Sequence, residues 1–250
     1  MDIKSSIEDR VRWIKGILES TGARGIIYGN SGGKDCTLVG ALCRMATENV
    51  LGVIMPCQSS ANYGSDRDDA IAAGERFGIE QTEVDLTAVK EALVAAMGDK
   101  LAPADTPAGA ERSALININP RLRMTTLYAM GQARGYLVAG TGNLCEYTVG
   151  YFTKWGDGAY DFNPIADLTV SEVYEMLEYL GAPANIIGKA PSAGLYPGQT
   201  DEAELGVTYA DIEAYVRGVE LSVSMRRRIA DMEERNTHKR RSPLRYGDEE

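Results

Sequence analysis

The sequence predicts an α/β fold: a doubly wound, mostly parallel sheet with helices on both faces. Two observations carry that expectation. Short apolar runs of strand length alternate with segments of helical periodicity, and each intervening segment is long enough to be a crossover helix, which is the βαβ pattern. Handedness of such crossovers then places helices on both faces of the sheet. The chain, residues 1–250, is expected to form a single domain.

Ile7, Val11, Ile14 and Leu18 recur at helical spacing, so an amphipathic helix opens the order. Gly25 to Tyr28 reads as a short buried strand, followed by a glycine-rich turn and a helix from Cys36 to Ala46. Val50 to Met55 is a second strand, Ser65 to Phe77 a helix, Gln81 to Val84 a third strand, and a further helix runs through Met97. From Gly98 to Asn119 no period is visible and Pro103, Pro107 and Gly109 interrupt, so a long mobile or functional loop is expected. The second half restarts with a helix from Arg121 to Arg134, Pro120 sitting in its first turn, and a strand from Tyr136 to Ala139. A Gly/Asp-rich stretch, Gly140 to Asp161, precedes helices at Thr169–Leu180, Tyr209–Arg217 and Val219–Arg235, and a basic tail occupies 236–250.

A net charge of −10 argues against a broad nucleic-acid surface, which needs clustered Lys and Arg. The exceptions are Arg226-Arg227-Arg228 and His238-Lys239-Arg240-Arg241. From charge alone these read as a solvated helix face with a ragged end, the alternative being an anion-binding flap. Four scattered cysteines without a CxxC pair suit a reducing compartment. No stretch is apolar enough to cross a bilayer and the start is polar, so the expectation is a cytoplasmic protein without membrane contact.

The segment Gly29-Asn30-Ser31-Gly32-Gly33-Lys34-Asp35-Cys36, between a strand and a helix, carries the chemistry. Its glycines let the backbone turn sharply and bring N–H groups to an anion, and the following helix adds its positive end. The spacing matches neither a Walker loop nor a dinucleotide GxGxxG. The compact SGGxD form resembles the pyrophosphate loop of ATP pyrophosphatases, which split ATP to AMP and pyrophosphate. Asp35 would there hold Mg²⁺, which favours one or two carboxylates plus substrate phosphates.

Later motifs extend the resemblance. They are Asn117 to Met124, Leu137 to Asn143, Glu146, Gly150 to Gly158, Pro191 to Leu195, Gly198 to Glu202, Glu204 to Gly206 and Thr237 to Arg240. In this order, and together with the loop, they are similar to the ammonia-dependent NAD synthetase family, over about Gly25 to Arg241. The resemblance implies a Rossmann-like fold of the ATP-pyrophosphatase type and a homodimer. It also implies the conversion of deamido-NAD to NAD with ATP and free ammonia, through an adenylated nicotinate carboxylate. By similarity, Gly29 to Cys36, Thr141 and Ser192 contact ATP, and Asp35 and Glu146 share Mg²⁺. Arg121, Lys154, Asp161, His238 and Lys239 face the dinucleotide, with His238 and Lys239 in a tail that closes over it. Asp157 orients or deprotonates the incoming nitrogen.

Three departures from the family pattern stand out. Cys36 replaces the loop's usual closing Ser, and a cysteine there is a weak donor; a lowered thiol pKa at a helix start would instead suit sulfur transfer. Val170 stands where the family has an ATP-contacting Lys, leaving Lys34 and Lys189 as the nearest substitutes by sequence. Asn119-Pro120 replaces Lys-Ala before Arg121.

Overall fold

Four parallel strands form the sheet in the order β3-β2-β1-β4. In the computed structural model, residues 2–57, 64–103, 105–189 and 201–247 are described. The strands are β1 (Gly25–Gly29), β2 (Val50–Ile54), β3 (Glu80–Glu83) and β4 (Tyr136–Val138). Winding runs outward from β1 through β2 to β3, then returns to the other side of β1 for β4, in register Ile26 to Leu137. The order therefore reverses between β1 and β4, and the loops leaving their carboxyl ends flank a crevice, the usual ligand position in such sheets.

Alternation along β1 divides the core. Ile26 and Tyr28 point to the face covered by α1 (Ile3–Thr21), α2 (Lys34–Ala46), α3 (Ser65–Phe77) and a later helix, Val170–Leu180, with Leu38, Leu42, Val173 and Leu177 buried among them. Ile27 points to the other face with Leu51, Val53 and Val138, covered by the helix Ala110–Arg134 through Leu127 and its neighbours. The two-residue side-chain period of a strand makes this division unavoidable.

Between those helices lie α4 (Thr87–Met97), a 3₁₀ turn at Gly98–Lys100, and α5 (Ala110–Arg134). The structure corrects the expectation of a structureless run to Asn119, because α5 begins at Ala110 and carries Pro120 in its interior. The proline removes one N–H, the one that would reach the Ile116 carbonyl. The first turns are held from outside instead: Ile118 and Asn119 are buried, the Cys57 thiol donates to Asn119 Oδ1 at 3.4 Å, and the Thr153 hydroxyl donates to Asn117 Oδ1 at 2.8 Å.

The remaining elements are α6 (Leu144–Val149), α7 (Val170–Leu180), α8 (Ala184–Ile187), α9 (Asp201–Leu205), α10 (Tyr209–Val216), α11 (Val223–Arg235) and α12 (Thr237–Arg240). Cys145, Val149, Val170, Tyr209, Ile212, Ile229 and Met232 form a separate small core beneath this end. Among the described residues no helix is long and apolar enough to cross a membrane.

Candidate active site

The loop after β1 is shaped from below. The Asn30 side chain is buried and fully occupied: its Oδ1 accepts from the Gly32 N–H at 3.1 Å, and its Nδ2 donates to the Ala70 carbonyl and to Gln81 Oε1, each at 3.0 Å. Asn30 and Gln81 therefore hold the turn rather than reach into it. Gly32 has φ of 74°, and a Cβ there would strike the Asp66 carbonyl oxygen and the Ala70 amide. Gly33 is the N-cap of α2 and no side chain caps that end, which leaves the first amides of the helix without the side-chain cap that would compete with an anion.

Cys36 closes the loop as a neutral thiol. It donates to the Gly33 carbonyl at 3.1 Å and lies 3.4 Å from both the Ser31 hydroxyl and Asn30 Oδ1. Burial pushes its pKa up, outweighing those hydrogen bonds, so the low-pKa nucleophile that sulfur transfer needs is not what the fold builds.

Across the crevice, the turn after β4 leads into α6. Asn143 caps that helix, its Oδ1 accepting from the Glu146 N–H at 3.1 Å while Glu146 Oε2 accepts from the Asn143 N–H at 3.0 Å. The same Asn143 donates through Nδ2 to Asp35 Oδ1 at 3.2 Å. Asp35 and Glu146 thus face one another across the switch point. Burial and then the Asp35 charge hold the Glu146 carboxyl well above its usual range. Lys34, 7 % exposed, places Nζ 2.8 Å from Asp35 Oδ2 and 5.5 Å from the Tyr209 ring centre. Tyr209 in turn donates to buried Asp201 at 2.8 Å. Thr141 is half-buried in the turn before Asn143.

A second group gathers around the loop 150–158. Asp157, on the exposed side of that loop, accepts from the Thr153 N–H at 3.0 Å; packing round its carboxylate raises its pKa, opposed by that hydrogen bond and by the charges of Arg123 and Lys239. Arg121 donates to the Lys154 carbonyl at 3.4 Å, and Lys154 donates to the His238 carbonyl at 2.6 Å. Lys239 donates to the carbonyls of Gly150 and Phe152 at 2.7 and 3.0 Å. The basic tail is therefore docked on this loop, with the His238 ring on the outside. Asp161 is exposed but tied to the sheet end: its two oxygens accept from the Val138 N–H at 2.7 Å and the Tyr128 hydroxyl at 3.2 Å.

Of the residues marked in the sequence, Asp35, Glu146 and the loop 29–36 converge, while Arg121, Lys154, Asp157, His238 and Lys239 form the neighbouring group. Ser192 lies outside the described residues. Val170 is buried in the small core, and Lys189 is engaged by Asp66 at 2.7 Å and Asp69 at 2.6 Å.

The parts played by Asn143, Tyr209, Arg123 and Trp155, which the sequence left unassigned, come from the structure. Asn143 had a legible signal, the Asn-x-x-Glu capping box that also marks α6. Arg123 donates to the Met55 carbonyl at 3.1 Å and faces Asp157 and Asp66; nothing in its spacing announces this. Trp155 is the one non-glycine among the described residues with positive φ, 62°, and it stands 53 % exposed.

An open nest of amides facing a carboxylate pair, at the switch point of a parallel sheet, defines an α/β nucleotide-using enzyme. The NAD synthase family profile matches residues 6–243. The chain is 44% identical over 237 residues to the NH(3)-dependent NAD(+) synthetase of Carboxydothermus hydrogenoformans, covering 94% of each chain, and 38% identical to that of Archaeoglobus fulgidus over 97% of this chain and 96% of the other. Among solved structures, NMN synthetase from Francisella tularensis superposes with a TM-score of 0.90 at 34% identity, covering 98% of both chains. The NH3-dependent NAD synthetase of Campylobacter jejuni gives a TM-score of 0.78 at 27% identity, over 98% of this chain and 99% of that one. The chain belongs to the NAD synthase family, and with it to the ligases.

Proposed function

We propose that this protein amidates deamido-NAD with ammonia, consuming ATP and releasing AMP and pyrophosphate through an adenylated nicotinate carboxylate. The observation that carries the reading is the Asn143 hydrogen bond to Asp35, which sets a carboxylate pair beside the uncapped start of α2. The uncapped amides that open α2, from Lys34 to Cys36, receive the phosphates, with Thr141 and Ser192 completing the nucleotide site. Asp35 and Glu146 suit Mg²⁺. Among the described residues no three His, Cys, Asp or Glu side chains converge, and two carboxylates with phosphate oxygens are what this hard ion takes. Glu146 Oε1 accepts no hydrogen bond within the described structure, and its like-charged neighbour Asp35 is already pushing its pKa up. When bound, the ion would neutralise charge building on the departing pyrophosphate.

The chain's own part is positioning and charge balance. Arg121, Lys154, His238 and Lys239 surround the loop 150–158, where the substrate would lie against the docked tail. Asp157, its pKa raised and its position fixed by the Thr153 N–H, orients ammonia and accepts a proton at Oδ as the amide forms. Asp161 contributes by holding the end of β4. A homodimer is supported by α4, which has no buried residue and exposes Val89 and Leu93. The reading places the enzyme in the cytoplasm, where its nucleotide substrates are made.

One observation favours a second reading of the substrate. The Francisella structure, titled an NMN synthetase, superposes more closely than the Campylobacter NAD synthetase, so the mononucleotide acid is the alternative acceptor. Incubation with ATP, Mg²⁺ and ammonium, with deamido-NAD and nicotinate mononucleotide in parallel, separates the two by kcat/KM. Equimolar NAD and AMP supports the first reading, and preferential NMN formation the second. ATP binding without turnover on either acceptor overturns both.

A further inference from the structure

Lys34 is the residue the proposed reaction leaves without a task. It is the first residue of α2, where a solvated cation next to a helix N-terminus would be unfavourable, and it is 7 % exposed. Buried lysines persist only when paired. Its pair is Asp35, at 2.8 Å, and its charge also meets Glu146. The Tyr209 ring closes the other side at 5.5 Å, with Tyr174 in electrostatic range. The two carboxylates, Asp35 in direct contact, compensate the buried ammonium.

We infer that Lys34 is a built-in counter-ion which, from its buried seat between the carboxylate pair and the Tyr209 ring, holds Asp35 in the nucleotide-free protein and keeps free divalent ions out until they arrive with ATP. The inference rests on Asp35 and Glu146 being the metal-facing pair. A fixed positive charge 2.8 Å from one ligand oxygen opposes a second cation there by direct repulsion, and it occupies an oxygen that the ion would need. A nucleotide changes the balance, because its phosphates bring negative charge and supply most of the ion's remaining ligands. Lys34 would then turn its charge toward Glu146 or a phosphate oxygen. Lys34 is thus a positioning residue that couples metal entry to nucleotide entry and disfavours an idle metal-loaded state.

The test is Mn²⁺ binding to the full-length protein, read by electron paramagnetic resonance of the free ion, with and without a non-hydrolysable ATP analogue. Lys34→Met is expected to bind Mn²⁺ at least about tenfold more tightly than the parent without nucleotide, and within about threefold of it with the analogue. Lys34→Arg, which retains the charge, should follow the parent in the absence of nucleotide, and circular dichroism reports whether each variant folds. Equal nucleotide-free Mn²⁺ affinity in folded Lys34→Met and parent overturns the inference. So does an increase in Lys34→Arg matching that in Lys34→Met. Because no acceptor substrate is present, failure of the deamido-NAD reading leaves this result intact. If neither protein binds Mn²⁺ with the analogue present, the metal assignment falls and the inference falls with it.

Discussion

Asn143 Nδ2 donates to Asp35 Oδ1 across 3.2 Å, joining the loop after β1 to the loop after β4. The same residue caps α6 through its Oδ1. One side chain thereby fixes the start of the helix that carries Glu146 and the carboxylate that faces it. The site's geometry uses both ends of the amide at this position, its oxygen accepting from a helix N–H while its nitrogen donates to a carboxylate.

Asn143→Asp separates those two tasks. The aspartate still accepts from the Glu146 N–H, so α6 should persist, but it cannot donate to Asp35 and adds a third negative charge. Losing one charge-assisted hydrogen bond of about 1.5–3 kcal/mol predicts a roughly tenfold to hundredfold fall in kcat/KM with unchanged far-ultraviolet circular dichroism. Retained activity would show that Asp35 needs no tether.

Glu146 exposes a conflict between stability and function. Its folded pKa lies well above the ordinary 4.5, first by burial and then by Asp35. For an acid shifted in this direction the stabilising contribution is complete below the unfolded pKa and is lost as pH rises through the folded pKa. At neutral pH the buried acid is therefore a burden that Glu146→Gln removes. The variant should melt higher than the parent at neutral pH, by roughly 2–4 °C for each kcal/mol recovered. That advantage should shrink to nothing below the normal glutamate range, while activity is lost. Thermal scans across pH check the sign.

The strands, the phosphate loop and the helices of the first half were legible because their signals are local: apolar alternation, glycine spacing and helical period. Ser65 to Phe77 was expected and found with those limits. The start of α5 was not, because Pro120 reads locally as a boundary, whereas Asn117, Ile118 and Asn119 are anchored by Thr153 and Cys57 from distant parts of the chain. The same reason hid the buried seat of Lys34, whose partner Tyr209 is remote in sequence, and the tie of Asp161 to β4 and Tyr128. Residues that meet across the switch point carry no spacing signal.

Gly32 sets the loop's tolerance. With φ of 74° and the Asp66 and Ala70 backbone against it, a methyl group must both adopt a left-handed conformation and displace α3. The conformational part alone costs about 1–2 kcal/mol, and the displaced helix moves the loop amides proposed to receive the phosphates. Gly32→Ala is expected to weaken ATP binding by more than about tenfold in a calorimetric titration, with the fold retained. Unchanged affinity would mean that the loop adjusts freely.

Trp155 offers the complementary case, a residue the fold strains rather than one it requires to be small. A bulky side chain at φ of 62° is unfavourable, and this one is 53 % exposed with Lys154 Nζ 5.4 Å from its ring centre. Such strain persists where function holds it in place. Trp155 precedes Gly156 and Asp157 in the loop that receives the docked tail, and a flat aromatic face with an adjacent cation suits a nucleotide base or pyridine ring. Trp155→Gly relieves the backbone and deletes the face. The expected outcome is a melting temperature equal to or above the parent's, with the strain of about 1–2 kcal/mol returned. The KM for the nucleotide acceptor should rise several-fold while that for ATP stays put. A fall in melting temperature with an unchanged acceptor KM would make Trp155 a packing residue, and the strain would then have no functional counterpart.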